Sequence, residues 1–224
     1  MKTLVIGDIH GCFNEMVDLI DQAGLTENDR IIALGDLFDR GPDSPAVYLF
    51  FKNHPRACSL MGNHERKHLL SYRGLTEPSI SQILTRQQFR ETYREAIDFM
   101  ADLPLFLELP EAILIHGMLE PGIPLDKQSE AILVGSLSGE ARLKRKSSQP
   151  WYKIHDGAKP VIAGHHDYSK EGKPVVVDDS VFLIDTGCCF GKSLSGLLLP
   201  DFKLVSVKSR KNYWGEAMQS RKKG

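Results

Sequence analysis

The sequence predicts an α/β fold. In the first third of the chain, apolar runs of strand length alternate with amphipathic stretches of helix length. Each of those apolar runs ends in Gly followed by Asp or Asn, and apolar runs bounded by turn residues return after residue 160. Thr3–Ile6 reads as a buried strand, and Asn14–Ala23 as a helix with Met16, Val17, Leu19 and Ile20 as its apolar positions. Arg30–Leu34 follows as a strand, Pro45–Lys52 as a helix and Ala57–Leu60 as a third strand. Strands joined by helices of this length pair in parallel. Gly7-Asp8, Gly35-Asp36 and Gly62-Asn63 then fall at strand carboxyl ends, where α/β sheets place their ligands.

The middle of the chain changes character. Ser79–Asp102 carries Ile80, Ile83, Leu84, Phe89, Tyr93, Ile97 and Met100 at helical spacing, which predicts a helical insert over roughly residues 71–104. Strands resume at Leu105–Leu109 and Ala112–Ile115. Residues 119–150 are polar and contain Lys144-Arg145-Lys146; a mobile excursion with a solvated basic face is expected there. Val161–Ala163, Val175–Val177, Val181–Ile184, Gly196–Leu199 and Lys203–Val207 read as strands. No repeat or Pro/Ser-rich linker divides the sequence, so residues 1–224 are expected to form one domain.

Composition excludes several classes. With 28 Lys+Arg against 29 Asp+Glu the net charge is −1, so no global field draws the chain to nucleic acid, and no DNA partner is expected. A hydrophobic share of 42% with 25% charged residues is that of a globular chain rather than a disordered one. The 4 cysteines are too few for a disulfide framework, and adjacent Cys188 and Cys189 read as reduced thiols. No apolar run approaches the ~20 residues that span a bilayer. Met1–Ile6 resembles the start of a signal sequence, but Asp8 and His10 cut it short, so no membrane association and a cytoplasmic location are expected.

Chemistry gathers in Gly7-Asp8-Ile9-His10-Gly11, Gly35-Asp36-Leu37-Phe38-Asp39-Arg40-Gly41, Gly62-Asn63-His64-Glu65, His116-Gly117 and Gly164-His165, each just after an apolar run. Together they bring Asp8, His10, Asp36, Asn63, His116 and His165 to strand ends. Such a mix of carboxylate, imidazole and amide oxygen suits Mn, Fe or Zn better than Mg or Ca. A carboxylate shared by two ions holds them ~3.5–4 Å apart in hydrolytic sites. His64-Glu65-Arg66-Lys67-His68 also matches the zinc-protease motif His-Glu-x-x-His. Gly62-Asn63 places His64 at a helix start instead, leaving His68 as a surface or packing residue.

In order and content these motifs resemble the metallophosphoesterases of the phosphoprotein phosphatase family, over Gly7 to His165. Within it they resemble small bacterial Ser/Thr protein phosphatases and symmetrical diadenosine tetraphosphate hydrolases. Ile184–Gly191 with Leu194–Leu197 is similar to the end of that subgroup. The resemblance implies an α/β/β/α sandwich of two mixed sheets flanked by helices. It implies two divalent cations, Mn favoured and Fe or Zn possible, one held by Asp8, His10 and Asp36. Asp36 is shared with the second, held by Asn63, His116 and His165. A hydroxide between the ions would attack phosphorus, His64 would protonate the leaving oxygen with Asp39 orienting it, and Arg40 and Asn63 would meet the substrate phosphate. Gly164-His165-His166-Asp167 departs from the Gly-His-x-His ending of many relatives, and His166 stands where the family often has Thr. No second phosphate-binding Arg can be assigned after His116.

Three functions follow as expectations. A phosphatase acting on Ser/Thr phosphoprotein is preferred, because Asp39-Arg40 and Asn63-His64-Glu65 are intact. The alternative is hydrolysis of a symmetrical dinucleoside tetraphosphate (Ap4A), for which Tyr72-Arg73 or Arg142–Lys146 could supply a base-stacking or basic wall. The third is a phosphoprotein- or nucleotide-binding module without turnover.

Overall fold

The computed structural model describes residues 1–223. The chain begins β1 (Thr3–Ile6), α1 (Phe13–Ala23), β2 (Arg30–Ala33), α2 (Ser44–Asn53), β3 (Ala57–Ser59), α3 (Asn63–Tyr72), α4 (Ile80–Phe89) and α5 (Tyr93–Ala101). It continues β4 (Phe106–Glu108), β5 (Ile113–Ile115), α6 (Glu130–Leu133), α7 (Leu137–Lys146), β6 (Val161–Ala163), β7 (Val175–Val177), β8 (Val181–Leu183), β9 (Ser193–Leu199), β10 (Lys203–Lys208) and α8 (Tyr213–Lys223).

Two five-stranded mixed sheets result. The first runs β10-β9-β1-β2-β3, with β1, β2 and β3 parallel, as the alternation predicted, and β9 antiparallel to both β1 and β10. The second runs β4-β5-β6-β8-β7, parallel across β5, β6 and β8 and antiparallel at both edges.

The two-residue period of each strand sorts its side chains between layers. Leu4 and Ile6 face α1 and α2 in a core with Met16, Leu19, Val47 and Phe51, whereas Val5 turns the other way. Val5, Ile32 and Leu34 of the first sheet meet Leu114, Ile162 and Phe182 of the second in the layer between the sheets. Ile115, Val161 and Leu183 pack outward against Ile132, Leu133 and Trp151. The architecture is the α/β/β/α sandwich. α1 ends at Gly24 in the left-handed conformation, and the Asp43 side chain caps α2 by accepting from the Ala46 N–H at 3.0 Å.

Residues 119–150 correct the sequence expectation. They are built rather than a loose excursion, because Ile132, Leu133 and Val134 are buried and Ser136 caps α7 by accepting from the Gly139 N–H at 3.1 Å. The basic run is the last turn of α7, where cations oppose the negative end of the helix dipole. α8 was not anticipated; its segment has a mixed polar pattern. Among the described residues, no helix is long and apolar enough to cross a membrane.

Leu114 is fully buried between the sheets. Leu114→Ala is expected to lower stability by about 3 kcal/mol in a urea titration, from lost burial plus the cavity left behind.

Candidate metal centre

The segments after β1, β2, β3, β5 and β6 converge at one edge of the sandwich. Backbone bonds lace the first two, His10 N–H to the Asp36 carbonyl and Gly11 N–H to the Leu37 carbonyl, both at 2.8 Å. The carboxylate of Glu65, fully buried on α3, accepts from the N–H groups of Asp36 at 2.8 Å, Leu37 at 2.9 Å and Gly62 at 3.0 Å. That one side chain ties the β2 loop to the β3 loop. Close approach explains two glycines: a Cβ on Gly35, at φ +110°, would lie 2.6 Å from the Gly62 nitrogen, and one on Gly62 would lie 2.2 Å from Asp36 Oδ1. His10, Asp36, Asp39, Arg40 and His165 all have positive φ, between 49° and 75°. Each such non-glycine residue costs about 1–3 kcal/mol, and a cluster of them marks a site whose geometry is imposed by its surroundings.

Asp36 stands at the centre. Its Oδ2 lies 3.5 Å from His10 Nε2 and 4.0 Å from His64 Nε2, and its Oδ1 lies 3.4 Å from His116 Nε2. The outer nitrogens of the rings are committed elsewhere. His10 Nδ1 donates to the Phe38 carbonyl at 2.8 Å, and His116 Nδ1 to the Leu34 carbonyl at 3.2 Å. His165 Nε2 donates to Glu140 Oε1 at 3.2 Å. A carbonyl or carboxylate only accepts, so the inward nitrogens present lone pairs, the arrangement in which partners outside a site orient metal-binding histidines.

The Asn63 amide atom that meets His116 Nε2 and His165 Nδ1, each at 3.1 Å, also faces Asp36 Oδ2 at 3.2 Å, while the other amide atom faces Lys67 Nζ at 3.0 Å. Three acceptors therefore converge on one point. Asp8, 3% exposed, accepts from the His165 N–H at 2.9 Å through Oδ1, and its buried Oδ2 has no partner among the described residues. His64 Nε2 is likewise buried and unpartnered. Converging lone pairs and an orphaned carboxylate oxygen are stabilised by positive charge, so the donor set fits divalent cations. His10, Asp36 and His64 form one compact group of potential ligands, and Asp36, His116 and His165 a second that shares the same carboxylate.

Asp39 forms the other half of the site. It is fully buried and accepts from His64 Nδ1 at 2.6 Å, His68 Nε2 at 2.9 Å and Ser81 Oγ at 3.1 Å. Behind His68, Tyr93 Oη lies 2.9 Å from Nδ1 and itself accepts from Arg86 Nε at 3.1 Å. α4 and α5 thus hold the carboxylate that holds His64. Arg40 Nη1 reaches His10 Nε2 at 2.9 Å, and its guanidinium lies 5.3 Å from the centre of the Phe190 ring.

Residues 1–183 match the model of the calcineurin-like phosphoesterases. The chain belongs to that family. It is 29% identical to a bis(5'-nucleosyl)-tetraphosphatase PrpE, asymmetrical, of Oceanobacillus iheyensis, with 96% of each chain covered. A symmetrical bis(5'-nucleosyl)-tetraphosphatase of Edwardsiella ictaluri is 26% identical, covering 94% of this chain and 97% of its own. A solved structure to which diadenosine tetraphosphatase activity is provisionally ascribed superposes with a TM-score of 0.76, at 23% identity over 93% of both chains, and shows the same fold.

As a calcineurin-like phosphoesterase the chain calls for divalent cations, and the electrostatics of the edge accord with them. Burial would raise Asp36, but the imidazoles of His116, His64 and His10 outweigh it and hold the carboxyl well below the usual range. Burial pushes His10 well down and His116 down to about 4, so both rings are neutral near pH 7, the form that binds a cation. Burial, reinforced by Asp185 and then Asp36, pushes Asp8 up. Burial would also raise Asp39, but bonds from His64 and His68 hold it well below its usual range.

All nine candidate site residues therefore meet at this edge. His68, outside that set, corrects the surface alternative: the residue is buried, and although it shares a helix with His64 at the protease-motif spacing, both rings aim at Asp39. Cys12 packs in the core, its thiol pushed up by its bond to Cys188 and by burial, and all four cysteines are free. Asp185 accepts from the Gly187 N–H at 2.9 Å, and burial raises it to about 6. His166 is exposed and shares Glu140 with His165. Arg142 pairs with Glu120 at 3.0 Å. Sequence reading missed Glu65's grip on the loops, Glu140, Ser81 and Lys67; Glu140 and Ser81 sit in segments with no motif, so only the fold reveals them.

Millimolar Mn is expected to raise the thermal midpoint of the wild-type protein, since a ligand at about 100 times its Kd adds about 2.7 kcal/mol. In Asp36→Asn that shift is expected to fall to a small remainder, read by scanning calorimetry with and without Mn.

Proposed function

We propose that the chain hydrolyses dinucleoside polyphosphates with two divalent cations, Mn in the first instance, at the edge built around Asp36. The observation that carries the reaction class is the Asp36 carboxylate flanked by potential ligands on both oxygens, His10 beside Oδ2 and His116 beside Oδ1. Support for the substrate comes from relatives matched over nearly their whole length, whose names specify bis(5'-nucleosyl) tetraphosphates, one asymmetrical and one symmetrical. The sequence motifs alone put a phosphoprotein first; these relatives give the nucleotide the greater weight.

Asp8, His10 and Asp36 would hold one ion, and Asp36, Asn63, His116 and His165 the other. When bound, such ions supply Lewis-acid polarisation of phosphoryl oxygens and acidify coordinated water. The protein's own groups do the rest. His64 keeps Nδ1–H on Asp39 and directs Nε2 into the edge, where it delivers a proton to the departing phosphate oxygen. Asp39 stabilises the imidazolium that this step requires. Arg40, held over Phe190, offers planar paired donors to phosphate oxygens. Glu65 keeps the loops in register, so little reorganisation precedes reaction.

The test is product analysis with Mn-loaded protein, giving it diadenosine tetraphosphate and a phosphothreonine peptide side by side. Dinucleotide cleavage with kcat/KM at least ~10-fold above the peptide is expected, about 1.4 kcal/mol of preference. Formation of ADP alone marks symmetrical cleavage, and ATP with AMP marks asymmetrical cleavage. Faster phosphate release from the peptide would overturn the substrate assignment.

A further inference from the structure

Beside the metal edge lies a cavity of about 640 Å³ that the reaction scheme does not use. Glu140 and His166, which border the metal edge through His165, also line it. Ring contacts run without a break from one to the other. His165 lies 4.0 Å from His166, His166 lies 5.6 Å from Tyr168, Tyr168 lies 4.9 Å from Tyr152, and Tyr152 lies 6.0 Å from Trp151, all between ring centres. Leu143 adds an aliphatic wall. Trp151 forms the floor of the cavity, 6% exposed. Lys144 stands at the junction, its Nζ 3.8 Å from Glu140 and its side chain 80% exposed.

These features specify an occupant. The volume falls in the range of small-molecule sites, which combine apolar and aromatic walls with few polar groups. Aromatic rings take the π-face of a base. A lysine between the cavity and the metal edge suits a polyphosphate chain running from one to the other.

We propose that this cavity seats the nucleoside end of the dinucleotide, with Tyr152, Tyr168 and Trp151 contacting the base and Lys144 the phosphate chain. The assignment rests on the nucleotide reading above and adds to it where specificity resides. It also gives the segment 119–150, through Glu140, Leu143 and Lys144, a role as one wall of the site.

The experiment compares the Mn-loaded wild-type protein with Tyr152→Ala and Trp151→Phe, the latter keeping one six-membered aromatic ring and removing the pyrrole half of the indole. Diadenosine tetraphosphate, base-free p-nitrophenyl phosphate and a phosphothreonine peptide serve as substrates. In Tyr152→Ala, KM for the dinucleotide is expected to rise about 10-fold, the loss of one stacked base. Its kcat, and kcat/KM for p-nitrophenyl phosphate, are expected to stay unchanged. Trp151→Phe is expected to show a smaller rise of the same kind.

A second readout avoids turnover. Trp151 and Trp214 are the 2 tryptophans, so in Trp214→Phe the indole fluorescence reports on Trp151 alone. AMP is expected to change it saturably, with about 10-fold weaker binding once Tyr152→Ala is added. Dinucleotide turnover with unchanged KM in both variants and no AMP response overturns the cavity assignment alone. Wild-type protein that cleaves p-nitrophenyl phosphate but no dinucleotide overturns the nucleotide reading, and this proposal with it. A rise in KM confined to the phosphopeptide places a peptide in the cavity and also overturns it.

Discussion

The buried carboxylate of Asp36 is the group around which this molecule is arranged. It is 2% exposed, has three imidazoles within 4.0 Å, and shares its neighbourhood with a second buried acid, Asp8. Burying an ionised carboxylate is expensive unless opposite charge or hydrogen bonds compensate it. The His64 backbone N–H meets Oδ1 at 2.9 Å, and the remaining lone pairs are directed into the space that His10, His116, His165 and Asn63 also face. Under the proposed function, cations at that edge would turn a destabilising cluster into a stabilising one, and the same charge would serve phosphoester chemistry.

The sandwich makes this arrangement possible by supplying parallel strand ends from both sheets at one edge. β1, β2 and β3 deliver Asp8, His10, Asp36 and Asn63, while β5 and β6 deliver His116 and His165. Left-handed backbone at five site residues then costs several kcal/mol in all. Glu65, accepting backbone N–H groups from both loops, offsets part of that strain. Two outer layers do further work. α4 and α5 brace Asp39 through Ser81 and through the Tyr93–His68 contact, and α6 and α7 bring Glu140 to His165.

Much of this was legible in the sequence for definite reasons. Apolar runs of strand length and the ordered Gly-Asp, Gly-Asn-His and Gly-His turns locate the edge and Asp8, His10, Asp36, Asn63, His116 and His165, while Asp39, Arg40 and His64 come from the resemblance to the phosphoprotein phosphatase family. The polarity of residues 119–150 masks their order; the short apolar Ile132-Leu133-Val134 suffices to anchor them. For His68, helical spacing gives the residue's face but not which side chain that face meets. Here it meets Asp39, 29 residues away in sequence. Glu140 carries no local signal, since its partner lies on the strand end that follows β6. The positive φ values at His10 and His165 have no sequence signature, since only a few per cent of non-glycine residues adopt them and even histidine, enriched there, does so rarely.

Anomalous diffraction from crystals grown with Mn tests for a pair of cations sharing Asp36. Two peaks about 3.5–4 Å apart are expected, both bound to the Asp36 carboxylate, one also against His10 and the other against His116 and His165. A single peak, or peaks that leave Asp36 without a ligand bond, would contradict the shared site.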